Sequence, residues 1–176
     1  GDQPGAAGGV DFPGAAAGFM TAFARRRAME INGIAHLFVT AGDFEVSREF
    51  YRKLLPFLGL TPVLDTDNVF YCVGGRTGFA VQRPAPEHAG KRFVQNRVGL
   101  HHVCFRARER EHIDEAFAFL QEVGAKIVHG PQDDAYAPGY YSILFEDPDG
   151  VRLEINHVPG RGVFDTPEQQ VRAYPG

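Results

Sequence analysis

Cysteine is scarce in this chain: Cys72 and Cys104 are the only two among 176 residues. Both fall in apolar, strand-like runs. Two thiols are too few for a disulfide scaffold, so a reducing, cytoplasmic setting is the expectation. Basic excess is also missing. The formal net charge is −4, which argues against nucleic acid or an anionic membrane surface as partner. The one basic cluster, Arg25-Arg26-Arg27, is short and reads as a solvated face. No stretch approaches the roughly 18 apolar residues of a membrane-spanning helix. The apolar segment 15–23 precedes its arginines, the wrong order for a secretory signal.

What is present suits one compact domain with tails: 44% of residues are hydrophobic and 23% charged, ordinary values for a globular protein with a real core. Residues 1–30, rich in Gly, Ala and Pro toward their start, read as a flexible arm. Residues 31–158 read as the folded domain, and residues 159–176 as a polar, Pro/Gly-punctuated tail.

Within the folded part the order of elements repeats. Residues 34–39 read as a strand. A helix from about Glu45 follows, with Val46, Phe50, Leu54 and Phe57 on one face and Gly59 at its end. Strands are expected at 61–64, 69–73 and 78–83. After the polar linker 84–97 the order restarts. A strand is expected at 100–106, a helix from about Glu111 carrying Ile113, Phe117 and Leu120, and strands at 126–128, 140–145 and 151–156. The final hairpin turns at Asp147-Pro148-Asp149-Gly150, where Pro presets the backbone and Gly supplies the permissive end. Both halves read βαβββ.

Side chains alternate along a strand, so parity sorts the faces. In the last strand Val151, Leu153 and Ile155 share the apolar face; Arg152, Glu154 and Asn156 share the polar one. Around the adjacent His101 and His102, parity places His102 with Cys104 and Arg106, and His101 toward the helix layer with Val103 and Phe105. His36 and Gln82 fall on the less apolar sides of their strands. His36 and His102 open their halves, and Gln82 and Glu154 close theirs. If the halves fold alike, these four converge on one concave surface. Two imidazoles, a carboxylate and an amide oxygen would suit a divalent metal: iron, zinc, nickel, cobalt or manganese.

Ile34-Ala35-His36, Glu49-Phe50-Tyr51, the run Gly99 to Phe105 and the run Phe145 to Ile155 together resemble the vicinal oxygen chelate superfamily, the group of glyoxalases, bleomycin-resistance proteins and extradiol dioxygenases. The resemblance covers residues 31–158. It implies an α+β fold, two βαβββ modules forming a half-open mixed barrel with the helices outside. It implies metal ligation by His36, His102 and Glu154, with Gln82 at the fourth ligand position, and a metal (Fe2+, Ni2+, Co2+, Mn2+ or Zn2+) that binds vicinal oxygens of a small substrate. His101 is then a structural neighbour of the ligand. The His/Gln/His/Glu set resembles the isomerase and epimerase branch. Extradiol dioxygenases carry a tyrosine ten residues before the glutamate ligand, where this chain has Leu144, and fosfomycin-modifying enzymes do likewise. Bleomycin-binding members lack the ligands altogether.

Parity also sends Tyr140 and Ser142 toward the cavity, where they would orient a substrate oxygen beside Glu154, and Tyr141 toward the core. Arg152 and Asn156 flank Glu154 on its own face, and Cys104 is a candidate soft ligand. The linker 84–97 and the segment 130–139 are expected to rim the pocket. A lyase or isomerase that stabilises an enolate or oxyanion is the leading expectation. An iron(II) dioxygenase and a non-catalytic drug or metabolite binder are the alternatives. A homodimer is expected, as two-module chains of this superfamily usually pair.

Overall fold

The structure is a computed structural model that describes Ile31 and residues 33–160. The chain separates into two units, residues 1–33 and residues 34–176. The first lies almost wholly outside the described residues, as do the expected arm and nearly all of the expected tail.

Module 1 comprises β1 (His36–Thr40), α1 (Phe44–Phe57), β2 (Thr61–Asp65), β3 (Val69–Gly74) and β4 (Thr77–Gln82); module 2 comprises β5 (Val103–Arg106), α2 (Glu111–Glu122), β6 (Lys126–Asp134), β7 (Tyr140–Glu146) and β8 (Arg152–His157). Each helix forms because its apolar residues recur at helical spacing. Phe44, Ser47, Tyr51, Leu54 and Leu55 are buried on α1, and Ile113, Ala116 and Leu120 on α2. Asp43 caps α1, its carboxylate accepting from the Val46 N–H at 3.2 Å; that satisfies a backbone donor no helical carbonyl reaches. Gly59 then turns the chain at φ +81°.

Each module folds its strands into one mixed sheet, in the orders β1-β4-β3-β2 and β5-β8-β7-β6. The first strand of each module pairs parallel with the last, and the other neighbours run antiparallel. The fold is therefore α+β, two βαβββ modules, and neither sheet closes on itself. β1 and β5 are edge strands.

One hydrophobic cluster serves both modules. It includes Leu54, Phe70, Phe79 and Val81 of module 1, and Ile113, Leu120, Phe145, Leu153 and Ile155 of module 2. Phe57 and Phe119 stack across the two helices with ring centres 4.0 Å apart, and Phe79 meets Phe105 at 5.7 Å. The helix-bearing faces of both sheets thus look into a common core, and the opposite faces look away from it.

The turn Asp147–Gly150 locks the modules together. It closes with a Gly150 N–H donating to the Asp147 carbonyl at 3.0 Å. Asp147 accepts from the buried Tyr51 hydroxyl at 2.8 Å, and Asp149 accepts from Ser47 Oγ at 2.9 Å and from the Gly42 N–H at 3.0 Å. Residues 90–93 strap over the same turn: Gly90 donates to the Gly42 carbonyl, Phe93 to that of Asp149 and Arg92 to that of Pro148. A Cβ on Gly42 would stand 1.9 Å from the Lys91 carbonyl oxygen, so this crossing requires glycine. Burial pushes the Asp147 carboxyl up to about 6, against the opposing pull of its hydrogen bonds to Tyr51 and the backbone.

Three expected boundaries move by two residues or more. β5 begins at Val103 and not at residue 100, so His101 and His102 precede the strand; the first ladder pair is Val103 with Leu153. β6 runs to Asp134, through two register shifts and past Pro131, where a short strand and a loop were expected. The bulges carry the proline and keep the pairing going beyond it. The first strand starts at His36, two residues late.

Candidate metal centre

Sheet parity determines what each outer face presents. On module 2, β8 directs Arg152, Glu154 and Asn156 outward, and β7 directs Leu144, Ser142 and Tyr140 to the same side. Glu154 is buried at 9% exposure beneath Tyr140. The Tyr140 hydroxyl donates to Glu154 Oε1 in a short hydrogen bond. The other carboxylate oxygen, Oε2, lies 3.1 Å from Nε2 of His102. On its far side His102 places Nδ1 at 2.7 Å from Nδ1 of His101. A continuous path therefore runs from Tyr140 through Glu154 and His102 to His101.

The electrostatics follow from this crowding. Burial and the hydrogen bond to Glu154 push the Tyr140 phenol well above its ordinary range, so it stays a proton donor toward the carboxylate. Cys104 is exposed, yet its thiol is also held far up, by local desolvation first and by the Glu154 charge second. Ser142 is buried and donates to Asp134 Oδ2 at 2.7 Å. Tyr141 turns to the helix side and bonds Asp114 of α2 at 2.8 Å.

Module 1 presents a different face. β1 directs His36, Phe38 and Thr40 outward, opposite Gly78, Ala80 and Gln82 of β4. Phe38 stacks on Tyr71 at 5.9 Å and stands 49% exposed, with Leu64 beyond at 46%. The Tyr71 ring lies against Gly78, where an added Cβ would meet its hydroxyl at 2.2 Å. His36 is exposed and meets Phe38 edge-on at 5.3 Å. Gln82 donates its amide to Thr40 Oγ1 at 3.1 Å. By the register, no carboxylate stands on this outer face among the described residues.

The expected sites are therefore brought together only in part. His102, Glu154 and Tyr140 meet. His36 and Gln82 lie on the other sheet, and no three His, Cys, Asp or Glu side chains among the described residues gather as a metal-binding group within one chain. The convergence of all four on one surface is corrected because the two outer faces point away from a shared core. The correspondence of Gln82 with Glu154 is corrected too. Leu37 pairs with Phe79, and Val103 with Leu153. In that register Ala80 matches Glu154, and Gln82 matches Asn156, two residues farther along. His101 is also corrected: it is exposed beside His102 rather than in the helix layer. Its contact with His102 escaped strand parity because the strand has not begun there.

The donors that remain, an imidazole nitrogen and a carboxylate oxygen 3.1 Å apart, are of the kinds a divalent metal takes, and at that separation they also pair directly through an N–H···O hydrogen bond.

The family model described as the glyoxalase/bleomycin resistance protein/dioxygenase superfamily matches residues 33–155. The chain belongs to this superfamily. Among curated relatives of this superfamily member, the uncharacterized protein YqjT of Bacillus subtilis (strain 168) is 23% identical over 121 residues, covering 68% of this chain and 94% of that protein. Solved structures with the same fold include a glyoxalase/bleomycin resistance protein from Albidiferax ferrireducens T118 (TM-score 0.57, 24% identity, covering 71% of this chain and 98% of that one). A lactoylglutathione lyase from Agrobacterium tumefaciens is similar at TM-score 0.54 and 21% identity, covering 73% and 96% of the respective chains. At these identities the likeness concerns the fold. Among the described residues no helix is long and apolar enough to cross a membrane.

Proposed function

We propose that this superfamily member is a divalent-metal-dependent enzyme with a two-histidine, one-carboxylate ligand set, and that it acts as an iron(II) dioxygenase on a small substrate bearing two vicinal oxygens, of a type other than the extradiol enzymes because Leu144 stands where those carry a tyrosine. The ligands are His102 and Glu154 of one chain and His36 of a second copy in a homodimer. The observation that carries this reading is Ala80 at the position matching Glu154. With alanine there, a fourth protein ligand is missing, and open positions remain for substrate and dioxygen. The same alanine removes the carboxylate that a lyase or isomerase would use opposite Glu154 to move a proton. Gln82 is left out of the ligand set because it lies one pleat farther along and is bonded to Thr40.

A divalent ion held there supplies Lewis acidity toward the two substrate oxygens. The chain does the rest. Glu154 holds negative charge at the ion. Phe38, Tyr71 and Leu64 offer an apolar wall for the substrate body. Gln95 donates to the His101 carbonyl at 2.8 Å, which fixes the linker beside the histidines at the pocket rim.

The second copy enters this reading because the inner faces of both sheets share one core and their outer faces look away from it. β1 and β5 are both edge strands, with backbone groups available for approach by another chain. A symmetric pairing brings each β1 face to its partner's β5 face and creates two equivalent sites.

The test is elemental mass spectrometry on protein purified anaerobically without chelator, beside His102→Ala, followed by oxygen uptake with a panel of small substrates bearing vicinal oxygens, 2-oxo acids and catechols among them. Near-stoichiometric iron in the parent, lost in the variant, with oxygen consumed, is the expected result. Nickel, cobalt, zinc or manganese with proton exchange on 2-oxo substrates would establish the lyase or isomerase reading instead. No metal after reconstitution would overturn the enzyme reading and leave a binding protein.

A further inference from the structure

Both candidate ligands of module 2 are held from behind by groups that no ligand assignment includes. Behind Glu154 stands Tyr140, a residue only 7% exposed, whose hydroxyl donates to Oε1. That leaves Oε2 free to face His102 Nε2 at 3.1 Å. Behind His102 stands His101, Nδ1 to Nδ1 at 2.7 Å. At that distance one nitrogen carries a proton and the other accepts it. When Nε2 of His102 gives its lone pair to a metal, the ring proton must sit on Nδ1. It then donates to His101 Nδ1, and the proton of His101 sits on its own Nε2.

We propose that Tyr140 and His101 are positioning residues for a divalent metal. Tyr140 fixes which carboxylate oxygen of Glu154 faces the ion, and His101 fixes the tautomer and ring orientation of His102. This rests on the reading of His102 and Glu154 as ligands. The two supports come from different elements. Tyr140 opens β7, which pairs with β8, so its hold on Glu154 is built into the sheet. His101 belongs to the segment before β5 and is itself tied down through its carbonyl by Gln95. Partners of this kind set ligand orientation and basicity, and their loss costs about 10- to 100-fold in metal affinity.

The test is calorimetric titration of the purified full chain with Co2+, paired with the visible absorption of the bound ion, which reports ligand geometry directly. Tyr140→Phe keeps the ring and deletes only the donor. It is expected to weaken Co2+ binding by about 10- to 100-fold and to shift the absorption bands. His101→Ala is expected to do the same. His101→Asn, whose side-chain oxygen accepts near the place of Nδ1, is expected to recover most of the affinity and the parental spectrum. Thermal melting of each variant checks the fold. Parental affinity and spectrum in both Tyr140→Phe and His101→Ala would overturn the proposal while leaving the ligands standing. Failure of His101→Asn to recover what His101→Ala loses would overturn the tautomer role of His101. A parent that binds no Co2+ would overturn the ligand reading and this proposal with it.

Discussion

Modules 1 and 2 share a topology, a strand order and a core, yet their outer faces have parted. In module 1 that face is Phe38 on Tyr71 over two small residues, Gly78 and Ala80, with His36 at its end. In module 2 it is a polar chain of Tyr140, Glu154, His102 and His101. The inner faces stayed alike because both must fill one packed interior, where a change of a single methylene is felt. The outer faces are under no such constraint, and one presents an apolar wall while the other presents a chain of phenol, carboxylate and imidazole groups. A pocket that needs both must take one from each side.

The largest effects are expected in the core that the modules share. Leu54 and Leu120 are the corresponding fully buried leucines of α1 and α2. Leu54→Ala and Leu120→Ala should each cost about 2–5 kcal/mol in urea unfolding, within a single cooperative transition. Separate transitions for the two modules would break the claim of a common core. Next come the faces. Glu154→Ala should lower divalent-metal affinity by more than about 100-fold, beyond the range of a supporting residue, as read by titration calorimetry. His36→Ala should weaken it as well, but through the second copy.

The joint between modules makes a smaller, pH-dependent prediction. The Asp147 carboxyl is raised from 3.8 to about 6 in the fold. The folded state therefore binds this proton more tightly than the unfolded chain. The group's contribution is fully present below about 3.8 and is lost as pH rises through about 6. Stability should thus increase on acidification from pH 7 to 5 by about 1 kcal/mol from this group, toward a total of about 3 kcal/mol below pH 3.8. Asp147→Asn should flatten that dependence in pH-resolved melting. Smallest of all, Gln82→Ala should leave metal affinity unchanged within about twofold, since it removes only a bond to Thr40. A large loss would return Gln82 to the ligand set.

Much of this could be read from the chain beforehand. Helical spacing at Leu54 and Leu120, the turn at Asp147–Gly150 and period-2 alternation in β8 located the modules and the polar face of Glu154. Parity alone sends Tyr140 and Tyr141 to opposite faces, and the structure agrees because β7 is regular. What escaped was set by pairing rather than by pattern. Gln82 and Ala80 share a face by parity, so only the ladder between Leu37 and Phe79 shows which of them matches Glu154. His101 and His102 look like strand residues, but the ladder starts one residue later. Whether the two outer faces meet within one chain depends on module packing, for which no local pattern exists.

The central claim is that each site takes His36 from one copy and His102 with Glu154 from another. Its most direct test is complementation between His36→Ala and His102→Ala chains, refolded together and assayed for bound iron. Each variant alone should hold little metal. A statistical mixture should recover about one quarter of the parental content, because each mixed dimer keeps one intact site. A mixture that stays as empty as its two components would contradict the claim.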